Sequence, residues 1–228
     1  QLCAEAALRA GAGLVVLYCH RDAYPLLAAR VAAEVMVQPV ASYADIAEPN
    51  AQALVIGPGL GRLAETEAAA LHQLAHSFAG TVVLDADGLN LAAAQGWQFT
   101  PNMILTPHPG EMRRLDPRTP VSRRETVRRF LAEHDVTLLL KGARTLIADR
   151  RAAWYNSTGG PYMANGGQGD VLAGVIGALA AQGCPPLQAA AVGAYRCGLA
   201  AERVYLRGLQ ERSIFPHAVT ASRISLNN

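Results

Sequence analysis

Solid apolar runs alternate with amphipathic stretches along most of the chain. LVVLYC (14–19), ALVIG (53–57), TVVLD (81–85), MILT (103–106) and VTLLLK (136–141) are short, continuous and rich in Val, Leu and Ile. A strand with one wet face alternates apolar and polar residues. Runs without alternation predict strands buried on both faces, and so a mainly parallel sheet with helices on either side. Between the runs lie LAETEAAALHQLAHSF (63–78) and ETVRRFLAEH (125–134), whose apolar positions recur at helical spacing. After Lys141 the pattern changes. TLIAD (145–149) and AAWYN (152–156) predict a short hairpin, followed by two Ala/Gly-rich helices near 170–182 and 187–207. Gln1 to Ala10 reads as a helix interior with no cap before it. No linker or low-complexity stretch interrupts the order, so residues 1–228 are expected to form one α/β domain.

Composition narrows the function classes. The 228 residues are 51% hydrophobic and 17% charged, with a net charge of +2, enough to bury a core and too balanced for a basic nucleic-acid surface. The one arginine cluster, RRETVRR (123–129), carries Glu125 and Thr126 and reads as a solvated helix face. Cys3, Cys19, Cys184 and Cys197 lack CxxC spacing and are expected as buried free thiols of a cytoplasmic protein. The uncharged run from Val171 to Ala181 is too short to cross a bilayer. His20, His72, His76, His134 and His217 have no chemical company in the sequence and read as surface groups.

In parallel α/β sheets, ligands bind beyond the carboxyl ends of the strands. Four of the predicted strands end in unusual residues: GPGLG (57–61), DADGLN (85–90), TPHPGE (106–111) and KGART (141–145). Gly57, Gly59 and Gly61 allow a close backbone approach to a ligand, or only a tight turn. Asp85, Asp87 and Asn90 can hold a hydrated Mg²⁺ or a hydroxyl, while Asp87 can equally cap a helix beginning near Leu89. Two prolines hold His108 in extended backbone, where either ring nitrogen can meet a polar ligand or merely satisfy a turn. Lys141 offers a point charge to phosphate, with Gly142 allowing backbone contact and Thr145 adding a hydroxyl.

MANGGQGDVLAG (163–174) is the most informative stretch. Gly166, Gly167 and Gly169 stand directly before Asp170 and an apolar helical run. Glycines at that point let backbone N–H groups converge on the positive end of the helix, an anion hole for a transferring phosphoryl group. Asp170 is either the N-cap or the base that takes a proton from the attacking hydroxyl.

Together GPGLG, DADGLN, TPHPGE, KGART and GGQGDVLAG, with RAGAGLV (9–15) and VTAS (219–222), resemble the ADP/ATP-dependent NAD(P)H-hydrate dehydratase family of the ribokinase-like superfamily. The resemblance implies removal of water from the S epimer of NADHX or NADPHX, with ADP or ATP as co-substrate, Mg²⁺ as cofactor, and release of phosphate with AMP or ADP. It implies that Lys141, Gly142, Ala143, Arg144, Thr145 and Gly169 meet the nucleotide, with Gly166 and Gly167 beside the phosphoryl group. Gly59, Gly61, His108 and Asp170 would then meet the hydrated cofactor. It further implies a homo-oligomer, fusion in many relatives behind an epimerase, and a strand and Gly-rich loop ahead of Gln1. Two positions depart from the pattern: Gln168 stands where Met or Thr is usual and Tyr162 where Gly is usual, Tyr162 being placed to narrow the nucleotide pocket or stack on a base. The competing readings are a vitamin-alcohol kinase using the same anion hole and base, and a nucleotide-binding module without turnover.

Overall fold

In the computed structural model, which describes residues 1–47, 50–119 and 122–210, the elements run as follows. Helix α1 (Leu2–Arg9) leads into β1 (Val15–His20), α2 (Tyr24–Ala28) and β2 (Val35–Val40). Next come β3 (Ala53–Ile56), α3 (Glu65–Ser77), β4 (Thr81–Leu84), α4 (Ala86–Gln95), β5 (Met103–Leu105) and α5 (Pro109–Leu115). The last elements are α6 (Arg123–Glu133), β6 (Thr137–Leu140), the hairpin β7 (Leu146–Ala148) and β8 (Ala153–Tyr155), α7 (Gln168–Ala181) and α8 (Pro186–Gln210). The VTAS motif and His217 lie outside the described residues.

Six strands form one sheet in the order β3-β4-β5-β6-β7-β8, with β3 to β6 parallel and the hairpin added antiparallel. Side chains alternate between two cores. Val82, Leu84, Met103, Leu105, Leu138 and Leu140 face α3, α4 and α6, where Leu71, Leu89, Val127 and Phe130 meet them. Val83, Ile104, Leu139 and Ile147 face the other way, onto Val175 and Ile176 of α7 and Ala190 and Ala194 of α8. Both faces are dry, which is why these strands read as unbroken apolar runs.

One expectation fails in its placement. LVVLYC does form a strand, but β1 pairs in parallel with β2 in a separate two-stranded sheet. Strand β2 (VMVQPV) escaped sequence reading because Gln38 and Pro39 interrupt its apolar pattern and only its two ends are buried. The helix expected near Leu89 starts earlier, at Ala86, with Asp85 in the cap position.

Several polar residues read as surface groups also have structural partners. His72 and His76 stack 4.1 Å apart beside Trp97, and both ring nitrogens of His76 meet backbone carbonyls, those of His72 and Gln98. His134 packs on Phe130 and Phe99. In the arginine cluster Arg129 joins Arg118 on buried Asp116, at 2.9 and 2.7 Å. Burial pushes the Asp116 carboxyl up, but the two guanidinium hydrogen bonds outweigh it and hold the group below the usual carboxylate range. Arg124 and Arg128 are exposed as expected, Arg128 pairing with Glu125 on the helix face. The four cysteines are free thiols, but of the four expected to be buried only Cys19 and Cys197 are, Cys3 and Cys184 being half-buried; burial raises the Cys197 thiol pKa to about 12. No described helix is long and apolar enough to cross a membrane.

Candidate active site

The ends of β3, β4, β5 and β6 bring GPGLG, DADGLN, TPHPGE and KGART to one edge of the sheet, because parallel neighbours finish on the same side. The N-terminus of α7 joins them from the second core layer. Gly57 is required by this convergence. Its φ is +129°, and a Cβ there would stand 1.7 Å from the Asp85 carbonyl oxygen. Gly59 and Gly61 also have positive φ but open space beside them, so their backbone can be approached from solvent.

Asp87 is not a helix cap. One carboxylate oxygen accepts the Gly61 N–H at 2.9 Å and the other accepts from the Asn90 amide at 3.3 Å. The first turn of α4 therefore holds the glycine loop in place. Beside that contact a cavity of about 470 Å³ is lined by Leu60, Gly61, Arg62, Asp87 and Asn90, among others.

His108 caps α5. Its Nδ1 accepts the N–H groups of Gly110 at 2.9 Å and Glu111 at 3.3 Å. An imidazole accepting at Nδ1 carries its proton on Nε2, so toward a ligand the ring offers a donor. Only one of its two nitrogens is left for a ligand, and half of the side chain is exposed. Glu111 completes the capping box by accepting the His108 N–H at 2.7 Å.

Buried Asp85 sits at the centre. Its Oδ1 accepts from the Lys141 ammonium at 2.6 Å and from the Thr106 hydroxyl at 2.8 Å, and its side chain is 1% exposed. Lys141 also lies 3.8 Å from Glu111. The loop after Lys141 turns through Gly142 (φ +136°) and Arg144 (φ +53°). It is gripped from behind by Arg123, which donates to the carbonyls of Leu140, Lys141 and Ala143. Arg123 belonged to the stretch read as a solvated helix face; it is instead the brace of this loop. Thr145 closes the turn by donating to the Gly142 carbonyl at 3.1 Å.

Gly167, at φ +86°, caps α7 in the left-handed conformation that only glycine adopts without strain. Asp170 is thus not the N-cap but the third residue of the helix. The first amides of an α-helix have no acceptor within it, so this turn presents donors at its positive end. Gly169 faces the ion pair: a Cβ there would stand 3.3 Å from the Lys141 Nζ and 3.4 Å from the Asp85 Oδ2. Gly166 opens on free space. Burial, then the Asp85 charge, raise the proton affinity of Asp170 above that of an ordinary aspartate, against an opposing pull from Lys141. The site thus holds a half-buried acid of raised basicity, a lysine, a neutral imidazole N–H and a helix N-terminus. That set can accept a hydroxyl proton and stabilise a phosphoryl group.

A fully protein-built metal cage is absent among the described residues. Hydrated Mg²⁺ asks for less, one or two carboxylates plus substrate phosphates. Asp85, whose Oδ2 faces Gly169, fits that need, whereas Asp87 is occupied by Gly61 and Asn90.

The remaining departure, Tyr162, turns inward onto its own chain. Its ring stacks on Tyr205 of α8 with centroids 4.4 Å apart and planes 10° from parallel. Tyr162→Ala is expected to cost about 1–3 kcal/mol by loss of this stack, read as a lower midpoint in thermal unfolding.

A family model described as NAD(P)H-hydrate dehydratase matches residues 1–218. The chain is 39% identical over 232 aligned residues to a bifunctional NAD(P)H-hydrate repair enzyme of Coxiella burnetii, covering 95% of this chain and 46% of that one. It is 36% identical to the ADP-dependent (S)-NAD(P)H-hydrate dehydratase of Neisseria meningitidis serogroup B, covering 88% and 71%. The first-ranked curated relatives are bifunctional, and this chain spans less than half of their length. Among solved structures it is similar to the ADP/ATP-dependent NAD(P)H-hydrate dehydratase of Bacillus subtilis co-crystallised with ATP and Mg²⁺. That likeness has a TM-score of 0.81 and 28% identity, over 98% of this chain and 80% of that one. The architecture is ribokinase-like.

Proposed function

The chain belongs to the NAD(P)H-hydrate dehydratase family, and on that premise we propose that it repairs hydrated nicotinamide cofactors, converting (6S)-NADHX or (6S)-NADPHX to NADH or NADPH at the expense of ADP or ATP. The observation that carries the reading is the position of Asp170. A carboxylate of raised basicity stands in the first turn of α7, beside Lys141 and the glycine-flanked amides. A dehydration driven by phosphoryl transfer needs those groups at one point.

In this mechanism Asp170 takes the proton of the C6 hydroxyl of the hydrated ring. The oxygen attacks the terminal phosphoryl group, held by the amides at the start of α7 and by Lys141, and AMP or ADP departs. The lone pair of the ring nitrogen then breaks the C6–O bond and expels phosphate, a far better leaving group than hydroxide. Loss of the C5 proton to the departing phosphate restores the dihydropyridine. When bound, Mg²⁺ would be held on its protein side by Asp85 and would supply charge neutralisation on the phosphates. His108 donates its Nε2–H to a polar group of the hydrated cofactor, and the open backbone of Gly59 and Gly61 lets that molecule approach. The loop from Gly142 to Thr145 carries the nucleotide.

With this reading go a cytoplasmic location, a homo-oligomeric assembly and association with an epimerase activity. Exposed Trp154 and Tyr155 on β8 and Tyr195 on α8 support the assembly as apolar surface. Absorbance at 340 nm tests the central claim. Purified protein with Mg²⁺ and mixed NADHX epimers is expected to give a rise only when ADP or ATP is added, and the active nucleotide identifies the donor. A flat trace with both, or a stable phosphorylated product, overturns the reading.

A further inference from the structure

Glu111 has no part in the mechanism above, yet it is 5% exposed and reaches both halves of the site. One oxygen accepts the His108 backbone N–H at 2.7 Å and lies 3.8 Å from the Lys141 ammonium. The other lies 3.5 Å from His108 Nε2, the nitrogen that carries the proton. A single carboxylate therefore touches the backbone and ring of the histidine assigned to the hydrated cofactor, and the lysine assigned to the nucleotide.

Helix capping alone does not require this. A capping box needs an acceptor for one N–H, and a glutamine serves as well as a glutamate. Charge, moreover, is unhelpful to a nucleotide site. Asp85 already supplies the counter-charge of Lys141 at 2.6 Å. A second buried anion near that ammonium repels the incoming phosphates.

We propose that Glu111 is a positioning residue, whose charge is kept at some expense in nucleotide affinity because it orients Lys141 and the His108 Nε2–H together. The assignment rests on the dehydratase reading for the identity of the two ligands, and on the geometry alone for the coupling between them. On binding, the Nε2–H turns from Glu111 to the cofactor, while the ammonium, held on Asp85 and drawn toward Glu111, gives another N–H to phosphate. Both donors start from one fixed point, so their relative placement is set before either ligand arrives.

Glu111→Gln separates this role from a structural one. The glutamine oxygen still accepts the His108 N–H, so the unfolding midpoint is expected to stay within a few degrees of wild type. Removing the charge is expected to tighten MgADP or MgATP binding by about three- to tenfold, measured by calorimetry without NADHX. It is also expected to lower kcat by at least about tenfold. Affinity and turnover then move in opposite senses, which mere loosening of the fold does not produce. Unchanged or weaker nucleotide binding overturns the proposal, as does unchanged kcat, or a kcat loss accompanied by a matching fall in midpoint. Glu111→Asp keeps the charge but is too short to reach both partners. It is expected to bind nucleotide as wild type does and turn over more slowly; wild-type turnover overturns the proposal. If the wild-type protein yields no rise at 340 nm, the dehydratase reading falls. Calorimetry on Glu111→Gln still decides the coupling to Lys141, tighter binding supporting it and any other result overturning it.

Discussion

Asp170→Asn is expected to lower kcat by about 10²–10⁴-fold, the range for loss of a positioned general base, without loss of stability. Burial and the neighbouring Asp85 charge both disfavour ionised Asp170. An uncharged isostere removes that strain, so the unfolding midpoint is expected to hold or rise, as where function retains an unfavourable group. The same shift sets a sign for pH. A base must be ionised to act, and the proton affinity of Asp170 is raised. Activity should therefore fall as pH drops through a value above the ordinary aspartate range. The profile of kcat/KM, which reports the free enzyme, checks this directly. An acid limb at or below the ordinary aspartate value would remove Asp170 from the base role, as would an Asp170→Asn variant with full turnover.

Lys141→Met carries the largest expected effect on stability. It leaves Asp85, 1% exposed, with only the Thr106 hydroxyl on its Oδ1. Breaking a buried ion pair from one side costs about 3–5 kcal/mol, because the remaining charge is stranded. In a domain of this size that lowers the midpoint by roughly 6–20 °C. Removing both partners strands nothing, so Lys141→Met combined with Asp85→Leu should recover much of the loss. Nucleotide binding should be lost in both variants, since neither retains the ammonium. A double variant as unstable as the single one would show that Asp85 is not the source of the cost, and calorimetry with MgADP checks the binding arm.

The buried carboxylate at the end of β4 links these two expectations. Asp85 holds Lys141, and it also raises Asp170. The lysine proposed to meet phosphate and the acid proposed to take the proton thus share one buried neighbour.

What the sequence determined by itself is local or repeats along the chain. Apolar runs at 81–84, 103–105 and 137–140 named the central strands, because burial on both faces leaves no polar alternation. Glycines at 57, 59 and 61 and at 166, 167 and 169 marked the loops; of these, only 57, 59, 61 and 167 take positive φ, which few other residues tolerate. Parallel strands finish at one edge, so the motifs following them could be assigned to one site before any coordinates were known. Partnership between distant residues was decided only by the tertiary structure. Arg123 and Lys141 lie on separate elements, and nothing in RRETVRR distinguishes the arginine that braces the nucleotide loop from those facing water. Asp87 and Gly61 are 26 positions apart, and only their contact makes Asp87 a loop anchor where the sequence left ligand and cap both open. Glu111 reads as one acid in TPHPGE until α5 swings it against Lys141. Hydrogen bonds and ion pairs form over a few ångströms between whatever side chains folding brings together. Their chemistry is written in residue types, but their pairing exists only in the packed chain.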